Sequence, residues 1–179
     1  MVLPPFSAEG LLPPGEYTLT FPELIESILV LGPGGNENWN TLWRIRLIDG
    51  LRVLVGQLVQ AGIHEVFIDG SFVEAKDLPN DIDGYFVVDR QRWLSGELVR
   101  TLQAIDPIWD WNPATREPFK GYPKPQLPMW HRYRVELFPH YGQMSGIQDD
   151  SGRMLTFAEA FRQSRLFTPK GIVKVGGLT

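Results

Sequence analysis

The chain has 179 residues, 43% of them hydrophobic, and contains no cysteine. This length supports one substantial core and does not favour a second full domain. A formal net charge of −4 excludes the broad basic surface that extended DNA binding requires, and the lack of cysteine excludes disulfides and thiolate metal sites. Because no apolar run reaches membrane-spanning length, we expect a cytoplasmic protein without membrane association.

The first part of the chain is punctuated by proline. Pro4-Pro5 and Pro13-Pro14-Gly15 remove backbone donors and fix φ. We therefore expect residues 1–40 to form an extended, proline-rich arm packed on a single domain that spans residues 41–179.

Helical and strand patterns begin near Thr41. Apolar residues recur there at spacings of three and four, which predicts an amphipathic helix that ends at Gly62. Two strand-like runs follow, Glu65–Asp69 and Ile82–Val88, the second rich in β-branched and aromatic residues. A polar loop joins them, so we expect an antiparallel or nearly antiparallel pair.

The second half alternates between regular elements and an aromatic loop. The prolines and aromatic residues of segment 106–130 indicate a structured loop rather than a linker. The elements predicted around it are a helix over Ser95–Ile105, a strand over Tyr133–Phe138, a short helix opened by the Thr156/Glu159 capping box, and a final edge strand over Ile172–Val175. The fold class expected is mixed α/β, of the α+β type, with a largely antiparallel sheet flanked by helices.

A pair of acids marks the start of the second strand. Alternate side chains of a strand share a face, so Asp81 and Asp83 are predicted to point into one small volume. Like charges repel, and a cation between them relieves the repulsion. Mg²⁺ is the best candidate because it binds one or two carboxylates together with substrate phosphate oxygens.

The turn before this pair carries groups suited to phosphate. Gly70 allows the backbone to approach a phosphate closely, and the Ser71 hydroxyl can donate a hydrogen bond to it. Lys76, in the connecting loop, can add a positive charge.

A Gly-Ser turn followed by Asp-x-Asp on the next strand resembles the signature of the DNA polymerase β-like nucleotidyltransferase superfamily, especially its small bacterial members related to the minimal nucleotidyltransferases. The resemblance is close over Val66–Val88 and looser over the order helix, strand, strand, helix, strand. In that superfamily a carboxylate on a later strand completes the metal site. Glu136, in Arg134-Val135-Glu136-Leu137-Phe138, is the best match for it.

The resemblance implies an enzyme that moves a nucleoside monophosphate from an NTP to a hydroxyl on a protein or an RNA. Asp81, Asp83 and Glu136 would be the catalytic and metal-binding residues, with Mg²⁺ or Mn²⁺ as the cofactor. Gly70, Ser71 and Lys76 would bind the nucleotide. Relatives of this kind occur in toxin–antitoxin or phage-defence pairs, so a protein partner is expected by analogy.

Other readings of the same residues stay open. The chain could be a nucleotidyltransferase fold without turnover that serves as a binding or antitoxin-like regulatory protein. Glu136 could form an ordinary ion pair with Arg132 or Arg134, and Lys76 could be a solvated loop lysine. The aromatic residues Trp109, Trp111 and Trp130 could either pack on the core or form a stacking platform for a nucleobase or a single strand.

Overall fold

The structure is a computed structural model that describes residues 2–164 and 166–176. At its centre lies a five-stranded mixed sheet with strand order β1-β7-β2-β3-β4, accompanied by a separate β5-β6 hairpin. The strands are β1 (Glu16–Leu19), β2 (Val66–Asp69), β3 (Ile82–Val87), β4 (Val135–His140), β5 (Met144–Gln148), β6 (Met154–Thr156) and β7 (Ile172–Val175). The helices are α1 (Phe21–Ile25), α2 (Ile28–Leu31), α3 (Thr41–Gln60), α4 (Arg90–Leu94), α5 (Glu97–Ile105), α6 (Pro128–Tyr133) and α7 (Phe157–Phe161), and short 3-10 helices span Gly70–Val73 and Pro113–Thr115.

The expected mixed α/β class is confirmed, but the sheet is less antiparallel than predicted. Strand β2 pairs antiparallel with β3 and with β7, whereas β3 with β4 and β1 with β7 are parallel pairs. The parallel pairing of β3 and β4 arises because α4, α5 and α6 lie between them in the chain. A crossover of this kind returns the chain to the same end of the sheet.

The first forty residues are more than an extended arm. They contain β1, α1 and α2, and they bury Leu12 and Leu19 completely. The Thr20 and Glu23 side chains form a full capping box at the start of α1. Strand β1 occupies the edge of the sheet, so β7, predicted as an edge strand, lies inside it. Residues 177–179 of the predicted domain lie outside the described residues.

Helix α3 covers one face of the sheet and matches its predicted bounds closely. The Asn40 side chain caps its first turn by accepting a hydrogen bond from Trp43 N–H. The buried face of α3 packs into the main hydrophobic core together with inward-facing residues of β2, β3, β4 and β7, namely Leu47, Leu51, Leu54, Leu58, Ile68, Phe86, Leu137 and Val173. No helix within the described residues is both long enough and apolar enough to cross a lipid bilayer.

The aromatic loop contributes two tryptophans to this core. Trp109 is fully buried and donates its indole N–H to Gln57 Oε1 at 2.7 Å. Trp111 donates to the Leu137 carbonyl at 2.9 Å. Trp109 is thus used for packing, and Trp111 is partly buried against the same core.

The opposite face of the sheet is divided between an apolar half and a polar end. Helix α7, opened by the predicted Thr156/Glu159 capping box, packs its phenylalanines there. The residues of this apolar cluster are Phe67, Tyr85, Ile172, Phe157, Ala158 and Phe161. The polar end of the same face carries the acidic residues described next.

Candidate functional site

Three acids form a row across neighbouring strands. Asp69 at the end of β2 is paired in register with Asp83 of β3, and Asp83 is paired with Glu136 of β4. Directly opposed residues in adjacent strands project from the same face of the sheet. Asp81 precedes β3 by one residue, and its two-residue separation from Asp83 places it on that face as well.

The Gly-Ser turn lies directly against the central acid of this row. Gly70 has φ +71°, in the left-handed region that favours glycine. A β-carbon at this position would overlap Asp83 Oδ2 and would lie 3.0 Å from Asp83 Cγ. The structure thus brings together Gly70 and Asp83, which the sequence placed on separate elements.

Gly84, the next residue of β3, is also fixed by a close approach. A β-carbon there would overlap the Phe67 carbonyl and would lie 2.9 Å from Leu137 Cδ2. The absence of a side chain at Gly84 therefore lets β2 and the Leu137 side chain pack tightly behind the acids.

Burial and mutual repulsion make the row electrostatically costly. Burial, followed by the charges of Asp81 and Glu136, raises the pKa of Asp83 well above its usual range. Burial raises the pKa of Asp69 to about 7, although the Lys170 ammonium opposes this shift. An acid whose charged form is disfavoured in this way is a candidate for binding a cation or exchanging a proton.

Lys170 is a buried cation beside the row that the sequence analysis missed. Its ammonium lies 3.0 Å from Asp69 Oδ1 and 2.7 Å from Glu74 Oε1, and its side chain is 3% exposed. Burial alone would lower the pKa of Lys170, but the two carboxylates outweigh burial and raise it. Lys170 precedes β7 by two residues and lies about a hundred positions beyond Asp69, so no local pattern connects them.

Asp81 is held by an aromatic residue of α6. The Trp130 indole N–H donates to Asp81 Oδ2 at 2.7 Å. Trp130 is fully buried, as the packing interpretation predicted, and it also contacts the candidate site through this bond. Asp81 Oδ1 has no hydrogen bond within residues 2–164 and 166–176, so this oxygen can bind another ligand.

Glu136 is buried and its partners differ from those predicted. Its Oε1 accepts a hydrogen bond from Leu127 N–H at 3.2 Å and lies 3.8 Å from Arg116 Nη1. Burial raises the pKa of Glu136 despite these two contacts. Arg132 pairs with Asp106 and Arg134 stacks on Trp130, so neither of the two arginines considered from the sequence neutralises Glu136.

The acids fit a metal only in part in this arrangement. Among residues 2–164 and 166–176, no three His, Asp or Glu side chains are placed to enclose one ion. Asp81 and Asp83 provide two carboxylates on one face of the sheet, and that of Asp83 lies against Gly70. Two carboxylates suit Mg²⁺ bound jointly to phosphate oxygens. Glu136 is directed toward Leu127 and Arg116, and the structure does not bring it into a common ligand set with the two aspartates.

The predicted phosphate-binding side chains are both available to solvent. Ser71 is partly exposed, and its hydroxyl forms no hydrogen bond within the described part of the chain. Lys76 is exposed, and its ammonium likewise has no partner among the described residues. Both groups are therefore accessible to a ligand.

A buried arginine of α3 fixes the loop that follows the Gly-Ser turn. The Arg44 guanidinium donates to the carbonyl oxygens of Phe72, Glu74 and Lys76 at distances of 2.5 to 3.2 Å, and to that of Leu29 at 2.6 Å. Arg44 is fully buried. It thereby ties residues 72–76, in the segment between Gly70 and Asp81, to helix α3, and no sequence motif predicted this role.

Comparison with known proteins identifies a family for the chain. No curated protein and no solved structure matches it significantly. One family model matches residues 4–176, which is nearly the whole chain and includes all the acids described above. The chain therefore belongs to DUF6932, a family of unknown function.

Proposed function

We propose that this protein is a metal-dependent nucleotidyltransferase with the fold of the DNA polymerase β-like superfamily. The observation that carries the proposal is the contact of the Asp83 carboxylate with Gly70, within a row of acids that also contains Glu136. A phosphate bound at the Gly70-Ser71 turn would lie next to the carboxylates best suited to share a cation with it.

In this proposal Asp81 and Asp83 hold Mg²⁺ or Mn²⁺, and Gly70 and Ser71 bind the β- and γ-phosphates. The ion supplies charge neutralisation for the triphosphate and for the departing pyrophosphate. Trp130 fixes Asp81 by its hydrogen bond, and Arg44 fixes the backbone that leads from Ser71 to Asp81. Lys76 provides an exposed positive charge within that same loop. The chain thus contributes mainly positioning and electrostatics.

The reaction joins an acceptor hydroxyl to the α-phosphate of the NTP. The acceptor oxygen forms a bond to the α-phosphorus, and the bond from that phosphorus to the α–β bridging oxygen breaks. The electron pair of that bond leaves with pyrophosphate. Glu136 Oε2, the oxygen not bonded to Leu127, takes up the acceptor proton, and its raised pKa makes it a stronger base than an ordinary carboxylate.

Label transfer tests this function directly. The purified protein is incubated with Mg²⁺, a lysate as the source of acceptor, and each NTP labelled at either the α- or the γ-phosphate. Nucleotidyl transfer incorporates the α-label and not the γ-label, and it is abolished in Asp83→Asn but retained in the surface variant Asp150→Asn. Incorporation of the γ-label, or equal incorporation by Asp83→Asn, contradicts the proposal.

The acceptor is proposed to be a protein or an RNA hydroxyl, in a toxin–antitoxin or phage-defence setting. The net charge of −4 does not favour extended nucleic acid binding, which leaves a protein side chain or an RNA end as the better candidates. Treatment of the labelled product with proteinase or with ribonuclease distinguishes these two acceptors.

A second candidate function is favoured by one contact. The Arg116 guanidinium lies 3.8 Å from the carboxylate proposed as the base, which suits a nucleotide-binding, antitoxin-like regulator without turnover. Such a protein binds Mg²⁺ and NTP together in calorimetry but incorporates no α-label with any acceptor. Turnover in the label-transfer assay excludes this candidate.

A further inference from the structure

A cavity of about 290 Å³ is lined in part by Pro79 and Asn80, the two residues that precede Asp81. This volume lies just below the roughly 300–1,000 Å³ range of small-molecule sites. The residues that give it chemical character are Trp43, Asn80, Phe119, Tyr122 and Arg134. The cavity therefore combines three aromatic rings and one guanidinium with the carboxamides of Asn80 and of Asn40, which also lines it.

Trp130 connects the cavity to the acidic row. Its indole N–H donates to Asp81, and its ring lies 4.8 Å from the Tyr122 ring and 5.2 Å from the Phe119 ring, measured between centroids. Asn80, in the wall of the cavity, is the chain neighbour of Asp81. Burial, followed by the charge of Asp81, also raises the pKa of Tyr122. A molecule that contacts Asn80 in the cavity would thus touch the chain neighbour of Asp81, one of the two proposed metal ligands.

Arg134 ends helix α6 at the cavity wall. Its backbone is left-handed, with φ +56°, and its N–H donates to the Trp130 carbonyl, an arrangement common at the end of a helix. Its guanidinium lies 3.8 Å from the centroid of the Trp130 ring and 4.1 Å from that of Phe119.

We propose that this cavity binds the nucleobase of the NTP, with Phe119, Tyr122 and Arg134 as the stacking surface. The inference rests on the proposed nucleotidyltransferase function and adds the site for the nucleoside part of the substrate. Aromatic and guanidinium planes offer π-faces on which any base can stack. Asn80 is exposed, and its carboxamide has no hydrogen bond within the described residues, so it is available to a base edge. The triphosphate would then extend past Asp81 to Gly70 and Ser71.

The test compares two ligands that share a triphosphate. Isothermal titration measures the affinity of the full chain, with Mg²⁺ present, for each NTP and for inorganic triphosphate. If the cavity binds the base, the tightest NTP binds about 5- to 100-fold more tightly than inorganic triphosphate, which is the range expected for stacking of one base.

Substitutions in the cavity distinguish binding of the base from binding of the phosphates. Phe119→Ala and Arg134→Lys are expected to weaken NTP binding about 5-fold or more while leaving the affinity for inorganic triphosphate unchanged. Lysine keeps the charge at position 134 and loses the planar stacking surface. Phe167→Ala is the matched control, because Phe167 is 42% exposed, close to the 38% of Phe119, and does not line the cavity.

The possible results show whether the cavity assignment alone fails or the proposed function fails with it. If inorganic triphosphate binds as tightly as every NTP, or if Phe119→Ala and Arg134→Lys bind NTP as the wild type does, the cavity assignment is overturned and the metal-triphosphate site stands. Equal weakening of both ligands in these variants also overturns it. If the wild type binds neither ligand, both the cavity assignment and the proposed function are overturned.

Discussion

Gly70 lies against the carboxylate of Asp83 so closely that any β-carbon at position 70 would overlap Asp83 Oδ2. This contact joins a turn suited to phosphate with an acid suited to a cation. Asp83 also stands in register between Asp69 and Glu136, so three carboxylates from three strands lie side by side. A row of this kind weakens the fold through repulsion, and substrate or metal binding can recover that loss.

The Gly70 contact predicts that alanine at position 70 is more harmful than alanine at position 34. Gly70 and Gly34 both have φ +71°, but a β-carbon at Gly34 meets no atom within 4 Å. We expect Gly34→Ala to lower the free energy of unfolding by about 1 kcal/mol, from the left-handed backbone alone. Gly70→Ala should cost more and should abolish Mg·NTP binding, because Asp83 must move. Urea denaturation and calorimetry of both variants check this, and equal behaviour of the two would contradict the contact.

Asp83→Asn is predicted to stabilise the protein at neutral and alkaline pH when divalent cations are absent. The pKa of Asp83 is raised above its unfolded value of about 3.9, so the folded chain keeps a proton that the unfolded chain has lost. The stability that this proton contributes is therefore fully present below about pH 4, and it is lost as the pH rises toward neutrality. Asparagine cannot titrate, so the variant should gain at least about 1 kcal/mol over the wild type at pH 8.

Urea denaturation in EDTA at pH 5 and pH 8 measures this gain. Asp69, whose pKa is raised to about 7, retains part of the pH dependence in the variant. Asp150→Asn, at an exposed position, is the control and should follow the wild type. If the variant lost as much stability as the wild type between the two pH values, burial and the neighbouring charges would not be raising the pKa of Asp83.

Arg116→Gln tests the role of Glu136. The Arg116 guanidinium lies 3.8 Å from the Glu136 carboxylate. Because Glu136 is the proposed base and lies outside the ligand set of Asp81 and Asp83, we expect Arg116→Gln to leave Mg²⁺ affinity in the presence of NTP unchanged within about 2-fold. A tightening of about 3-fold or more, measured by calorimetry, would place Glu136 among the metal ligands and contradict this assignment.

Arg44→Met is predicted to destabilise the fold strongly. Arg44 donates to four backbone carbonyl oxygens, including those of Phe72 and Lys76 on the loop after the Gly-Ser turn. Methionine leaves these buried acceptors without donors, and we expect a loss of about 3 kcal/mol or more. Arg46→Met, an exposed position on the same helix, should change stability by less than about 0.5 kcal/mol. Chemical denaturation measures the free energy of unfolding of both variants. Similarly small losses in the two would contradict the role of Arg44.

Sequence patterns predicted the elements that are defined by local periodicity. The three- and four-residue spacing of apolar residues located α3. A short strand-like run located β2, and a run rich in β-branched and aromatic residues located β3. Strand β1 was missed because four residues between proline-rich turns carry little periodic signal. Its parallel partner β7 is more than 150 residues away in the chain, so local pattern could not place that pair.

In the candidate site, too, local patterns were readable from the sequence and long-range contacts were not. Gly70, Asp81 and Asp83 lie within one short stretch, where alternation and turn chemistry can be read directly. Lys170 and Trp130 reach Asp69 and Asp81 only through tertiary packing, at separations of 101 and 49 residues. Asp69 could have been found, because alternation with Phe67 places it on the face shared with Asp83.

Titration of Mn²⁺, followed by electron paramagnetic resonance with and without NTP, tests whether Asp81 and Asp83 bind a metal ion together with a nucleotide. We expect the wild-type chain to bind Mn²⁺ tightly only when NTP is present. The double variant Asp81→Asn with Asp83→Asn should weaken this binding at least 10-fold, while Asp150→Asn should not. Mn²⁺ binding that is indifferent to NTP, or that survives loss of both carboxylates, would contradict joint binding at this site.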